Sequence, residues 1–357
     1  MDPFQDIPTD DVDARLEEAI RATAPGTALR RALDMIIAAQ LGALICIGDA
    51  DAVIASGTDG FPIDISFTAN RLFELSKMDG AIVIDGALAR ILRANFHLDP
   101  DPTLATTETG MRHRTAARMS LLTNSLVISV SERRQVATIY VRGKGFELRT
   151  VGEIMTTVSQ QIVTLQTTRQ SLDRALLRLT SLELDNYVTL RDVADIFYLF
   201  EVLMTTADHL DRSILQLGTE GRTIDMQRDE FVGDMDDEYT LMIRDYARDS
   251  SEENALKIRK TLHGMANQQI RSAKSVGELL GFDDLREDST VSPLGLRTLS
   301  RVSVVRDGMA DKIVDEFGSL QELMDDIETD PSRLDDIGVN NPTILADSLY
   351  RMWGKRA

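Results

Sequence analysis

Met78-Asp-Gly-Ala-Ile-Val-Ile84 sets a carboxylate and a glycine directly ahead of a short, unbroken apolar run. Ala81–Ile84 is too short for a stable helix and rich in β-branched residues, so it reads as a buried strand. Runs of the same kind recur at Ala43–Ile47, at 126–130 and at Val136–Val141. Between them, residues 27–40 place Leu29, Leu33, Ile36 and Ile37 on one helical face, with Thr27 as a cap. Further helices are expected at 69–76 and 115–122. Strands alternating with helices predict an α/β domain over residues 1–150, a sheet covered by helices.

The pattern changes at Val151. Ile154, Val158, Ile162, Leu165, Leu172, Leu176 and Leu179 recur at three-, four- and seven-residue steps, which predicts one long amphipathic helix to about Leu184. Helices are expected next at 190–205, in a segment ending near Leu217, at 225–231, at 236–248 and across 254–280, with 250–253 as a polar loop. No proline interrupts the chain between Pro102 and Pro293, which agrees with a helical region over 151–291. Residues 292–357 read as short helices separated by turns and punctuated by Pro331 and Pro342. The segments around Phe317-Gly-Ser-Leu320 and Leu334-Asp-Asp-Ile-Gly338 have the size of a helix–turn–helix unit.

A chain of 357 residues with 43% apolar content can bury two or three cores. No apolar run reaches the roughly 18 to 20 residues of a membrane span. The acidic, polar N-terminus lacks the basic and apolar regions of a signal peptide. The single cysteine, Cys46, lies in an apolar run, where it reads as a buried hydrophobe rather than a reactive thiol. A reducing cytoplasm fits these features. The net charge of −19 is opposite to the basic footprint of most nucleic-acid binders, so any DNA contact would need a local patch or backbone amides.

Three segments could carry chemistry. In Gly110-Met-Arg-His-Arg-Thr115, two arginine forks suit phosphate oxygens, and a helix starting near Thr115 would aim its N-terminus at the same anion. By residue type alone the cluster reads equally well as a solvated basic turn. Asp79-Gly80 could hold a divalent cation and position a hydroxyl, or could be a plain Asp-Gly turn like Asp85-Gly86. In Asn95-Phe-His-Leu-Asp-Pro-Asp-Pro102, a loop stiffened by prolines, His97 and Asp99 point more to solvated or core roles than to a metal. A phosphate loop, a dinucleotide fingerprint, a nucleophile elbow and a zinc pattern are all missing, and Arg142-Gly-Lys-Gly145 reads as a turn.

Taken in order, Lys77-Met-Asp-Gly-Ala-Ile-Val83, Ala94-Asn95, Asp99-Pro-Asp-Pro102, Glu108-Thr-Gly110 and Arg112-His-Arg-Thr115 resemble the diadenylate cyclase domain. Its two hallmark motifs stand here as Asp79-Gly80-Ala81 and Arg112-His113-Arg114. Pro25-Gly-Thr-Ala-Leu-Arg30 and Phe61-Pro-Ile-Asp64 are also similar to that family. Leu215-Gln-Leu-Gly-Thr-Glu-Gly-Arg222 resembles the helical spine of its DNA integrity scanning (DisA) branch. The resemblance implies a mixed sheet flanked by helices, then an all-α spine, then a C-terminal helix-hairpin-helix module.

It also implies a reaction: two ATP molecules condense to cyclic di-AMP and two pyrophosphates, with cyclase domains paired face to face in a homo-octamer. By the same resemblance, Asp79 would bind Mg²⁺ or Mn²⁺ and help activate the 3′-hydroxyl. Gly80, Ala81, Leu98 and the run Met111 to Thr115 would hold the nucleotide. Arg112 and Arg114 would counter the triphosphate charge, and His113 would contact a phosphate or the metal. Ser131 would touch the phosphates. Two positions depart from the family: Met111 replaces a usual threonine and Ala117 a common glutamate.

Regulation by branched DNA such as recombination junctions, and a place in DNA repair, are implied through Gly338 of the C-terminal hairpin. There Asp336 stands where the first hairpin glycine is expected. Residues 292–357 carry 8 Lys and Arg against 12 Asp and Glu, which predicts weak DNA binding or none. The competing reading is a DNA-structure sensor whose nucleotide-binding domain is an inactive scaffold.

Overall fold

The computed structural model describes residues 9–282, 289–306, 308–329, 333–339 and 341–354. They divide into two compact units. The first comprises the chain up to Ser159 together with Asp211–Asp225; the second comprises Gln160–Leu210 and the chain from Met226 onward.

The first unit is built on one eight-stranded sheet of β1 (Ala43–Ile47), β2 (Gly57–Thr58), β3 (Phe61–Ser66), β4 (Ala81–Ile84), β5 (Arg90–Leu98), β6 (Leu126–Ser131), β7 (Val136–Val141) and β8 (Lys144–Glu147). The order is β2-β5-β4-β1-β6-β7-β8, with β3 also paired to β5. Only β1 and β4 run parallel, with Leu44 beside Ala81 and Ile47 beside Ile84; the other pairs are antiparallel, so the sheet is mixed. Helices α1 (Thr9–Ala22), α2 (Ala28–Ala38), α3 (Ala50–Ala55), α4 (Ala69–Leu75) and α5 (Met111–Leu122) surround it.

The central strands β1 and β4 are apolar throughout, and β6 and β7 nearly so, because both faces of the sheet are covered. Ile45, Ile82, Ile84, Ile128 and Ile139 pack with Leu29, Leu33 and Ile36 of α2 and Leu72 of α4. Leu44, Cys46, Ala81, Val83, Val127 and Tyr140 face the other way, onto Val53 of α3 and Ala116, Ala117 and Met119 of α5. Ala117, expected at a position of functional note, is thus a buried packing residue. Cys46 is fully buried, and desolvation pushes its thiol up to about 12. Pro62 lies in β3, which among the described residues pairs with β5 alone, an edge position that tolerates the missing amide donor.

Several expectations need correction. The helix expected from Thr115 starts at Met111, so Arg112, His113 and Arg114 lie in its first turn rather than in a preceding loop. Residues 95–98, expected within a loop, finish strand β5. Strands β2, β3, β5 and β8 and helices α1 and α3 were absent from the sequence reading because their apolar periodicity is short or interrupted.

In the helical region α6 (Val151–Leu184) has the expected extent. The two segments expected over 190–217 are one helix, α7 (Leu190–Leu217). A 3₁₀ turn at Gly218–Gly221 follows, then α8 (Arg222–Val232), α9 (Met235–Tyr246), α10 (Glu252–Gly264), α11 (Asn267–Ile270) and α12 (Ala273–Leu279). The helix expected across 254–280 is therefore three, and Ser251 of the expected loop caps α10 through its hydroxyl.

The C-terminal helices are α13 (Leu296–Ser300), α14 (Met309–Phe317), α15 (Leu320–Thr329), α16 (Arg333–Asp336) and α17 (Pro342–Trp353). They gather around Leu299, Ile313, Phe317, Leu323, Leu334, Leu345 and Leu349, with Leu184 of α6 in the same core. Gly318 and Gly338 take positive φ at the turns after α14 and α16. Pro331 and the side chain of Asp336 lie outside the described residues. Among the described residues no helix is long and apolar enough to cross a membrane.

Within this second unit a buried polar network joins α6, α9 and α13. Arg297, fully buried, pairs with Glu183 and hydrogen-bonds Thr180, while the Tyr246 hydroxyl donates to Glu183 at 2.8 Å. Asp245 accepts backbone N–H bonds from Gly295, Leu296 and Arg297 at 2.9, 2.6 and 3.0 Å, so its carboxylate caps α13.

Candidate active site

The entrance to β4 explains why the sequence needs Asp79-Gly80. Gly80 has φ of +85°, and a Cβ there would lie 2.8 Å from the carbonyl carbon of Asn95 and 2.9 Å from the nitrogen of Phe96. Both the backbone conformation and the close approach of β5 therefore require glycine. Asn95, itself at φ of +52°, donates from Nδ2 to the Asp79 carbonyl at 2.9 Å and fastens the turn to β5. The Asp79 side chain is left 97% exposed, with Oδ1 3.8 Å from Nη2 of Arg112.

Arg112 approaches from α5. Gly42, between α2 and β1, makes room for it: a Cβ on Gly42 would lie 2.2 Å from Nη1 of Arg112. Gly110 caps α5 in an extended conformation without a side-chain bond, and the first intrahelical amide is that of Arg114, bonded to the Gly110 carbonyl at 2.8 Å. The amides of Met111, Arg112 and His113 precede it, so the helix offers unused donors and its positive dipole end beside two arginines.

His113 Nδ1 lies 2.7 Å from the hydroxyl of Tyr140, a buried residue of β7. Burial, then the neighbouring Glu108 carboxylate, raise the Tyr140 hydroxyl above the usual phenol range. Burial also lowers the His113 pKa; Arg134 and Arg112 add to this and Glu108 opposes it. The 2.7 Å contact engages Nδ1 with the Tyr140 hydroxyl, whichever of the two carries the shared proton. Nε2, the other ring nitrogen, lies outside that bond.

These segments line one cavity of about 840 Å³. Of the residues expected at the site, Asp79, Gly80, Ala81, Leu98, Met111, Arg112, His113, Thr115 and Ser131 are on its wall. Arg114 is not; it stands exposed one position past His113. Met111 is 77% exposed at the rim. His97 also lines the cavity, whereas Asp99 does not. Gly338 belongs to the second unit, in the turn after α16, with open space around its Cα.

The sequence reading missed Gly42, Tyr140, Gln40, Glu132, Arg133 and Gln135, all beside Arg112 or His113 or on the cavity wall. Glycine between a helix end and a strand was the one available signal for Gly42. Tyr140 reads as core from its strand pattern, and it is core on all but its hydroxyl edge.

Among the described residues no group of three or more His, Cys, Asp or Glu could hold a metal by itself. The donor set suits Mg²⁺ or Mn²⁺ all the same. Such ions take one or two carboxylates and complete their shell with substrate phosphates and water, and Asp79 supplies an exposed carboxylate on the wall.

Two family models match the chain: "DisA bacterial checkpoint controller nucleotide-binding" over residues 30–145, and "DisA bacterial checkpoint controller linker region" over 148–288. The DNA integrity scanning protein DisA of Symbiobacterium thermophilum is 36% identical over 335 residues, covering 94% of this chain and 95% of that one. The protein of the same name from Kineococcus radiotolerans is 35% identical over 345 residues, covering 95% and 96%. The chain belongs to the DisA family. The DisA nucleotide-binding match contains both segments that meet at the cavity, and the linker match begins just before α6. A crystal structure of DacA from Staphylococcus aureus aligns with 20% identity over 43% of this chain and 97% of that one, at a TM-score of 0.28. That likeness is too remote to bear on the site.

Proposed function

We propose that this DisA-family protein is a diadenylate cyclase, joining two ATP molecules into cyclic di-AMP and releasing two pyrophosphates. The observation that carries the reading is the meeting of Asp79-Gly80-Ala81 with Arg112 and His113 on one cavity wall, with a carboxylate 3.8 Å from a guanidinium. Each 3′-hydroxyl oxygen bonds to the α-phosphorus of the other ATP, the α-phosphorus to β-bridging oxygen bond breaks, and pyrophosphate carries off the electron pair. Catalysis of this kind is mostly positioning and charge stabilisation.

Arg112 and the free amides at the start of α5 hold the phosphates, and Gly80 and Leu98 lie against the nucleoside. Ser131 and Thr115 add polar contacts from the wall. Asp79 would hold Mg²⁺ or Mn²⁺ and takes up the 3′-hydroxyl proton. The ion would supply charge neutralisation at the phosphates and make that proton easier to lose. Arg114, exposed and off the cavity wall, adds positive charge beside Arg112 against the triphosphate. One domain binds one ATP, so the reaction needs two domains face to face, which a homo-octamer supplies.

The test is product chromatography after incubating the purified chain with ATP and Mn²⁺ or Mg²⁺. Cyclic di-AMP is expected, with none from Asp79→Asn. Formation of ADP alone, or no turnover, would defeat the proposal and favour a nucleotide-binding scaffold.

For residues 292–357 we propose a helix-hairpin-helix module that touches DNA phosphates through backbone amides at Gly338, weakly. Three of its arginines are already engaged: Arg297 with Glu183, Arg301 with Glu238, and Arg333 with Asp326 and Glu316. Gel shifts with a four-way junction at two salt concentrations test this. Tight binding that survives high salt would contradict it.

A further inference from the structure

We propose that the first unit carries a second ligand site, separate from the cavity above, which binds a small organic phosphate of nucleoside monophosphate size. The site is a cavity of about 660 Å³ between α1, β8, the start of α6 and the Asp211–Leu217 end of α7. Its volume falls in the range of pockets that enclose drug-sized ligands. Leu16, Ile20, Phe146, Ile154 and Leu215 give it an apolar wall, and Arg30, Arg149 and Arg212 bring three guanidinium groups to it.

The balance of partners shows what these arginines lack. Arg30 is buried and already paired with Asp34 at 2.9 Å, and it also donates to the Arg149 carbonyl. Arg149 donates only to neutral oxygens, those of Gln216 and Thr157. Glu153, whose field reaches Arg149, is bonded instead by the amide and hydroxyl of Thr150. Arg212 has no hydrogen-bonding or ionic partner among the described residues. The two carboxylates on the wall are turned to cations off it, Glu17 to Arg21 and Glu147 to Arg134.

Two guanidinium groups without a carboxylate therefore face one cavity in a chain of net charge −19. A phosphate monoester matches that pair, because arginine forks bind phosphate oxygens in pairs. The apolar wall calls for a flat organic body on the ester, which inorganic phosphate lacks. The site requires nothing of the cyclase reaction.

Calorimetric titration of the full-length chain with AMP, and separately with inorganic phosphate, tests the proposal. AMP is expected to show a component that Arg212→Gln and Arg149→Gln each weaken by about tenfold. Arg112→Ala should leave that component intact. Arg212 is exposed and unpartnered, so its variant keeps the test valid should Arg149→Gln fail to fold. AMP binding unchanged in Arg212→Gln overturns the site. Inorganic phosphate binding there as tightly as AMP overturns the ligand class. If only the Arg112-sensitive component is missing, this site stands and the ATP reading of the first cavity fails.

Discussion

Single atoms decide much at the candidate site. Gly42 is the sharpest case, since one added methyl would overlap the guanidinium of Arg112. Gly42→Ala is expected to raise the KM for ATP several-fold through a displaced Arg112, with Tm nearly unchanged because the clash falls on the end of a flexible side chain. Steady-state kinetics beside a thermal melt would check it. Gly80→Ala meets backbone instead and also needs a positive φ. It should cost about 1–3 kcal/mol of stability as well as activity, read from urea unfolding. At this scale the sequence was a guide to placement: Asp79, Arg112 and His113, singled out by residue type, spacing and resemblance, line one cavity. What it hid were the partners supplied from far along the chain, such as Tyr140 behind His113. Nothing local to a strand residue reveals which side chain will meet its hydroxyl.

At the scale of elements, the site depends on how β5 and α5 begin and end. Strand β5 was partly hidden in the sequence because Asn95 sits in it at positive φ, and Arg90, Arg93 and His97 break its alternation. That irregular residue is the one that ties down the Asp79 turn. Asn95→Gly keeps the backbone freedom and deletes the amide donor. It should lower kcat by about tenfold while Tm moves little, as expected for a lost polar contact that positions a reacting group. Helix α5 starts four residues before the sequence predicts, since three successive charged or titratable residues look like a loop. Here they occupy a helix's first turn on or beside the cavity wall, where cations oppose the helix dipole. The strands β1, β4, β6 and β7 were legible as short, mostly buried apolar runs, and the long helix α6 by one buried stripe at unbroken helical spacing.

Over the whole molecule, the second unit concentrates buried charge where α6, α9 and α13 meet. Removing Arg297 would strand the Glu183 carboxylate, so Arg297→Leu is expected to cost about 3–5 kcal/mol in urea unfolding. That guanidinium also reaches Glu238, while Asp245 beside it is held by backbone amides. Burial, then the Glu183 charge, pushes the Asp245 carboxyl up to about 7 against its backbone bonds. A carboxyl raised in the folded state holds its proton longer than in the unfolded chain. Its contribution to stability is therefore fullest below about pH 4 and declines as the pH rises to about 7. Thermal melts across that window should show this decline, and Asp245→Asn should lack it. The sequence could not show how the first unit is completed, because that depends on residues far apart in the chain. Its fold takes back Asp211–Asp225 after α6 and α7 have run through the second unit. Gly218 lies so near Ala24 and Pro25 that a Cβ would come within 2.9 Å of the Ala24 side chain, and Gln216 receives Arg149. On the ribosome, then, the sheet can assemble early, but its last piece emerges only after some fifty residues of another body have been made. Translation order itself makes the nucleotide-binding half wait for its neighbour.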